Sequence, residues 1–221
     1  MSSYKGGDNV KQSSNVIMKT DDLSQAISEA LKKLRESDSG SKQLFSEQLT
    51  LLIDDIEYPY VCYPVDGQSE SACELTAPKD LPEEIKDIYL IDQGLTNVFA
   101  TRKTLLVGVQ ACIFSRHGES GMVTVSGMSA KRFNTTRPNT PRSQHNFGKA
   151  FDVKLQGRMK SNGADYDKLA CAYLCAYCVD AGATMVIFSD QEVVDAVNKA
   201  TGKNVCINKP DHENHIHMDC R

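Results

Sequence analysis

Apolar residues recur at three- and four-residue steps between Asp21 and Ser37. Leu23, Ala26, Ile27, Ala30, Leu31 and Leu34 fall on one face, the period of an amphipathic helix. Thr20 or Asp21 caps its start, acids fill its first turn, and the SDSGS run at 37–41 ends it. A second stripe, Leu44, Phe45, Leu49, Leu52, Ile53 and Ile56, predicts a partner helix, so residues 21–57 read as a helical hairpin. Its apolar side packs either on the rest of the chain or on another subunit. Residues 1–20 are polar and rich in Gly and Ser. They read as a flexible arm, either solvated or ordered by a partner on assembly.

The pattern becomes irregular over 58–80, with Tyr-Pro pairs and a VDGQSES turn, which predicts a connector with short β structure. LPEE opens a predicted helix from Leu81 to about Ile91. The apolar run KTLLVGVQACIF (103–114) is too short to separate a buried strand from a helix. VTVSG (123–127), KAFDVKL (149–155), TMVIF (184–188) and HIHMDC (215–220) read as strands. ADYDKLACAYLCAYCVDAG (164–182) carries little charge on its middle turns and predicts a central, buried helix stopped by Gly182. DQEVVDAVNKATG (190–202) predicts another, stopped by Gly202. No internal repeat is visible. The element pattern fits the α+β class: a small antiparallel sheet with packed helices, plus the N-terminal helical segment.

The composition narrows the function classes. The 221 residues are 40% hydrophobic and 24% charged, enough for a packed core. With 25 bases against 29 acids there is no basic field, so no nucleic-acid partner is expected. No apolar run reaches about 18 residues, so no membrane span is expected either. The opening MSSYKGGDNVKQSSNV lacks an apolar signal region, which predicts synthesis in the cytoplasm without export by that route. The eight cysteines are then expected to be mostly free, buried thiols. Cys171, Cys175 and Cys178 form one helical stripe among Ala, Leu and Tyr, the setting of core packing rather than of a metal site.

The candidate chemistry lies in two segments. Ser143 to Asp152 contains His145, a turn at Gly148 and the strand-borne Asp152, seven residues after the histidine. The end of the chain contains His215 and His217, which share one face of a strand because strand side chains repeat every two residues. Two imidazoles and one carboxylate make a three-ligand zinc site of the catalytic kind, with the fourth tetrahedral position left for water. That donor set also favours zinc over magnesium or calcium.

The pattern S-x-H-x-x-G-x-A-x-D, carried by Ser143, His145, Gly148, Ala150 and Asp152, followed by a terminal H-x-D-x-R, resembles the zinc D-Ala-D-Ala carboxypeptidases and L-alanyl-D-glutamate endopeptidases (peptidase family M15). These are similar to the hedgehog signalling domain and to murein endopeptidases with H-x-H. The resemblance covers roughly 81–221 and is sharpest in 123–152 and 211–221. It implies a hedgehog-like peptidase domain, one zinc per chain held by His145, Asp152 and His217, and His215 beside the metal. It also implies a peptidoglycan stem peptide as substrate.

Two departures stand out. VSGMSAKR (125–132) resembles the family's S-G-Y-R-S stretch, but Met128 and Ser129 replace its Tyr and its carboxylate-holding Arg. Arg132, Arg137 or Arg142 is then expected to hold the substrate carboxylate, beside Ser143. Many members carry an acid three residues before the last ligand; here that position is Asn214. Asp211, Glu213 and His215, in that order, are the candidate bases. Cell-wall chemistry without a signal segment implies a phage lysin or a virion-associated tail or baseplate hydrolase, with residues 1–57 docking to other phage structural proteins. The alternatives are an assembly module that keeps zinc without turnover, and a domain without zinc.

Overall fold

The structure, a computed structural model, describes residues 18–36, 41–54, 60–62, 73–75, 81, 83–93, 95, 99–128, 144–160 and 163–221. Helix α1 (Thr20–Glu36) buries the stripe of Leu23, Ile27, Ala30, Leu31 and Leu34, with Asp21 and Asp22 in its first turn. Helix α2 (Ser41–Asp54) follows, then the antiparallel strands β1 (Tyr60–Cys62) and β2 (Cys73–Leu75). Helix α3 (Glu83–Lys86), strand β3 (Tyr89–Ile91), helix α4 (Arg102–His117) and strand β4 (Val123–Gly127) come next. A 3-10 turn (Gln144–Phe147) leads into β5 (Ala150–Lys154). The chain closes with α5 (Lys168–Asp180), β6 (Met185–Phe188), α6 (Gln191–Thr201), β7 (Cys206–Asn208) and β8 (Ile216–Asp219).

Local chemistry explains several of these boundaries. The ambiguous run at 103–114 is helical because Thr101 caps it, its side-chain oxygen accepting from the Thr104 N–H at 3.3 Å. Asp167 caps α5 and Asp190 caps α6 in the same way. The expected stops hold their places: Gly182 lies just beyond α5 and Gly202 is the left-handed cap of α6. The helix expected over 81–91 is corrected to the four residues of α3. Tyr89 to Ile91 are β-branched or bulky, and they form β3, which lies parallel to β4, after a turn at Asp87 and Ile88. Strand β7 was not expected from the sequence; three residues with one fully buried position carry no readable period.

The sheet has six strands in the order β3-β4-β5-β8-β6-β7. The expected all-antiparallel sheet is corrected to a mixed one. Its centre, β4-β5-β8-β6, is antiparallel, while each edge pair, β3-β4 and β6-β7, is parallel. The α+β class stands.

Alternation divides the central strands into two faces. Phe151 and Val153 of β5, Val186 and Phe188 of β6, and Ile216 and Met218 of β8 are all fully buried in the apolar core shared with α4 and α5. Burying a side chain of that size stabilises the fold by about 1.5–3 kcal/mol. Asp152, Lys154, His217 and Asp219 occupy the opposite face. Cys112, Cys171, Cys175, Cys178, Cys206 and Cys220 are free and buried. Helix α1 packs on α5 and α6, and α2 on α4, so both belong to the same core cluster as the sheet.

Candidate metal centre

The centre is built by one register, one turn and one bulge. Strands β5 and β8 pair antiparallel with Asp152 directly opposite His217. Directly opposed side chains on one face stand close enough for their heads to meet. His145 arrives from the 3-10 turn just upstream of β5. Gly148 reverses the chain there at a φ of 66°, a left-handed conformation that a side chain resists. Its N–H donates to the His145 carbonyl at 3.1 Å, and its own carbonyl accepts from the Thr101 N–H at 2.9 Å.

The bulge lies on the other flank. Val125 of β4 stands opposite Val153, but Gly127 stands opposite Asp152, so one residue is extra between them. A Cβ on Gly127 would lie 2.3 Å from Asp152 Oδ2. The bulge therefore sets a residue without a side chain where the carboxylate needs room. Gly127 was only part of a weak motif in the sequence, and its role becomes visible in the register.

Three donor atoms converge. His217 Nδ1 is 2.9 Å from Asp152 Oδ1 and 3.0 Å from His145 Nε2, and His145 Nε2 is 3.2 Å from Asp152 Oδ2. Around an ion with bonds of about 2.0 Å, the edge of a ligand tetrahedron is about 3.3 Å. The three donors already stand near that spacing. The group His145, Asp152 and His217 can hold a metal ion, and among the described residues it is the only such cluster of His, Cys, Asp or Glu. The cysteine stripe of α5 is not part of one.

Electrostatics agree with the geometry. Burial raises the Asp152 carboxyl, but hydrogen bonds and charge from His145 and His217 overcome it and hold the group well below the ordinary carboxylate range. Burial lowers His217, yet its hydrogen bonds to Asp152 and Asp219 and their charges bring it up to about 9. An imidazolium between two carboxylates is therefore the form that occupies the centre without a metal.

The rim is made of the segment before β8. His215 Nε2 lies 4.0 Å from Asp152 Oδ2, outside the three-donor group, and its Nδ1–H donates to Asn214 Oδ1 at 2.8 Å. Burial lowers the His215 pKa, with Asp152 opposing and His212, His217 and His145 adding to the depression. His212 was assigned no role in the sequence. Its Nδ1–H donates to the Pro210 carbonyl at 3.1 Å, and its ring centroid is 5.0 Å from that of His215 and 5.9 Å from that of His217.

Asp211 and Glu213 are exposed and lie in a turn and a bend rather than on β8. The strand expected to carry both His215 and His217 begins only at Ile216, so His217 lies on β8 and His215 just before it. Asp211 takes a φ of 70°, so the backbone changes direction at that point. Met128 is buried. Ser129, Arg132, Arg137, Arg142 and Ser143 lie outside the described residues.

No protein-family model matches the chain, and neither a curated protein nor a solved structure matches it.

Proposed function

We propose that this chain is a zinc-dependent peptidase that hydrolyses peptidoglycan stem peptides, as a phage lysin or a virion-associated cell-wall hydrolase. The observation that carries the reading is the convergence of His145 Nε2, an Asp152 oxygen and His217 Nδ1. It supports the ligand set that the resemblance implies, in the order and on the elements that the two motifs predict. A three-donor set leaves one tetrahedral position open, as catalytic zinc sites do.

Zinc bound there would polarise a substrate carbonyl and lower the pKa of a water to about 7. The chain's own groups supply the rest. His215 presents Nε2 toward the centre because its Nδ1–H is committed to Asn214, so Nε2 is the atom that takes a proton from the attacking water and returns it to the leaving amine. Asp211 and Glu213 are the carboxylate alternatives. An Arg at 132, 137 or 142 holds the substrate carboxylate. Residues 1–57 are the segment that would dock to other phage structural proteins.

The deciding experiment is digestion of purified peptidoglycan, with metal content read on the same sample and the released fragments identified by mass spectrometry. About one zinc per chain together with new amino termini supports the peptidase. Metal-free protein that neither takes up zinc nor cuts overturns it. One observation favours a second reading: the position where the related peptidases carry an acid holds Asn214, whose oxygen is bound to His215. An assembly module that retains zinc without turnover predicts stoichiometric zinc and no new termini on walls from several bacteria.

A further inference from the structure

His217 has two ring nitrogens, and only one can face the centre. Its Nδ1 points at Asp152 and His145. Its Nε2 points the other way, to Asp219 Oδ1 at 2.8 Å. Asp219 lies two residues on along β8, on the same face, and is 2% exposed. A carboxylate sealed into that position requires partners on both oxygens. Arg221 supplies the second, its guanidinium donating to Asp219 Oδ2 at 3.0 Å. The main chain of the same stretch is also tied down: the Thr184 N–H donates to the Asp219 carbonyl at 2.8 Å, and the Cys220 N–H to the Lys149 carbonyl at 2.8 Å.

We infer that Asp219 is the positioning residue of the metal centre: by accepting the Nε2–H of His217 it fixes the ring so that Nδ1 is the ligating atom, and Arg221 holds Asp219 in place to do so. This rests on the zinc-site reading and deepens it. The chemical reason is that a carboxylate oxygen only accepts, so Nε2 must carry the hydrogen and the lone pair for a metal is left on Nδ1. An imidazole ligand whose other nitrogen is bound to a carboxylate is oriented and made more basic, and loss of such a partner typically weakens metal binding by about 10–100-fold. The arrangement also explains a buried acid that no apolar core needs. Asp152, Asp219 and Arg221 form a line of alternating acceptors and donors through the ring of His217, with the metal position at one end and solvent at the other.

The test uses the full chain and zinc itself. Zinc affinity is measured by competition with a chromophoric chelator for the wild type, Asp219→Asn and Asp219→Ala. Nitrogen-15 spectra are recorded on the same proteins loaded with cadmium-113. The wild type should show metal–nitrogen coupling at Nδ1 of His217 and a slowly exchanging proton on Nε2. Asp219→Asn keeps an oxygen acceptor of the same shape and should retain the proton signal and most of the affinity. Asp219→Ala should lose the signal and bind zinc about 10–100-fold more weakly. A merely structural role would lower the melting temperature without moving the proton signal, and it would not be rescued by asparagine alone.

Coupling at Nε2 in the wild type, or an alanine variant that binds zinc as tightly as the wild type, overturns the inference. So does a wild type that takes up no metal, which removes the zinc-site reading as well. Zinc bound in this geometry without peptide cleavage removes only the peptidase. If Asp219→Ala does not fold, the asparagine variant and the wild-type coupling pattern decide alone.

Discussion

Asp152 and His217 are 65 residues apart in the chain and are cross-strand partners, with Oδ1 and Nδ1 2.9 Å apart. Each favours the charged form of the other. Asp152 is held ionised by two histidines, and His217 is held protonated by two acids while no metal is bound. One register thus sets both the convergence of the candidate ligands and the charge that each favours on the other.

The stability of the metal-free protein should follow the charge on His217. Its folded pKa of about 9 lies above the ordinary histidine value of 6.5. Folding therefore favours the protonated form. That contribution is complete below about pH 6.5 and is lost as the pH rises through about 9. The metal-free melting temperature should fall between pH 7 and pH 10, and His217→Gln should flatten that fall. Asp152 works in the opposite sense: its depressed pKa contributes stability at neutral pH that is lost in acid. Thermal melts across pH, with and without zinc, check both slopes.

Gly127→Ala should damage the site from outside the ligand set. The added Cβ would meet Asp152 Oδ2 at 2.3 Å. Either the carboxylate turns away or β4 shifts, at a cost of about 1–3 kcal/mol. Zinc affinity should fall at least tenfold by chelator competition, with the fold retained by circular dichroism. Affinity equal to the wild type would show that the bulge is irrelevant to the centre.

The proton carrier can be separated from the ligands. His215→Ala should lower peptide hydrolysis by about 10²–10⁴-fold with zinc still stoichiometric. Asp211→Asn and Glu213→Gln should each cost less, because both residues are exposed in the turn before β8 while His215 Nε2 stands 4.0 Å from Asp152. A larger loss at Asp211 would return the base to the carboxylate that the resemblance favours. His217→Ala should remove the metal altogether.

The N-terminal helix should prove part of the fold. Ile27 of α1 is fully buried in the common core. Ile27→Ala should cost about 2–5 kcal/mol in chemical denaturation. Leu51 of α2, 64% exposed, should change stability by less than about 0.5 kcal/mol on the same substitution. Deleting residues 1–56 should expose the apolar surfaces of α5, α6 and α4 and prevent cooperative folding.

Much of this was legible in the order of the residues, where the signal was local. The stripe of α1, the buried face of α5, the glycine stops of the C-terminal helices and the alternation of β5 and β8 each depend on neighbours within a few positions. So did the pairing of His145 with Asp152 across Gly148, because one turn joins them. Alternation also placed His217 and its i+2 neighbour Asp219 on one face, though nothing in a single strand says that the second is buried against the first.

What the sequence by itself determined about this protein is thus the set of groups and their local faces: two histidines and an acid able to ligate, in segments able to present them. The tertiary structure decided what those groups meet. Which strands pair, and in what register, depends on contacts between residues far apart, and a slip by one position would turn His217 into the core and Ile216 toward Asp152. The same long-range pairing drew Tyr89 to Ile91 into β3, placed Gly127 rather than Ser126 opposite Asp152, and began β8 at Ile216, with Asp211 and Glu213 in the turn and bend before it. It also laid α1 on α5 and α6, and gave Nε2 of His217 to Asp219 while Nδ1 faces Asp152 and His145.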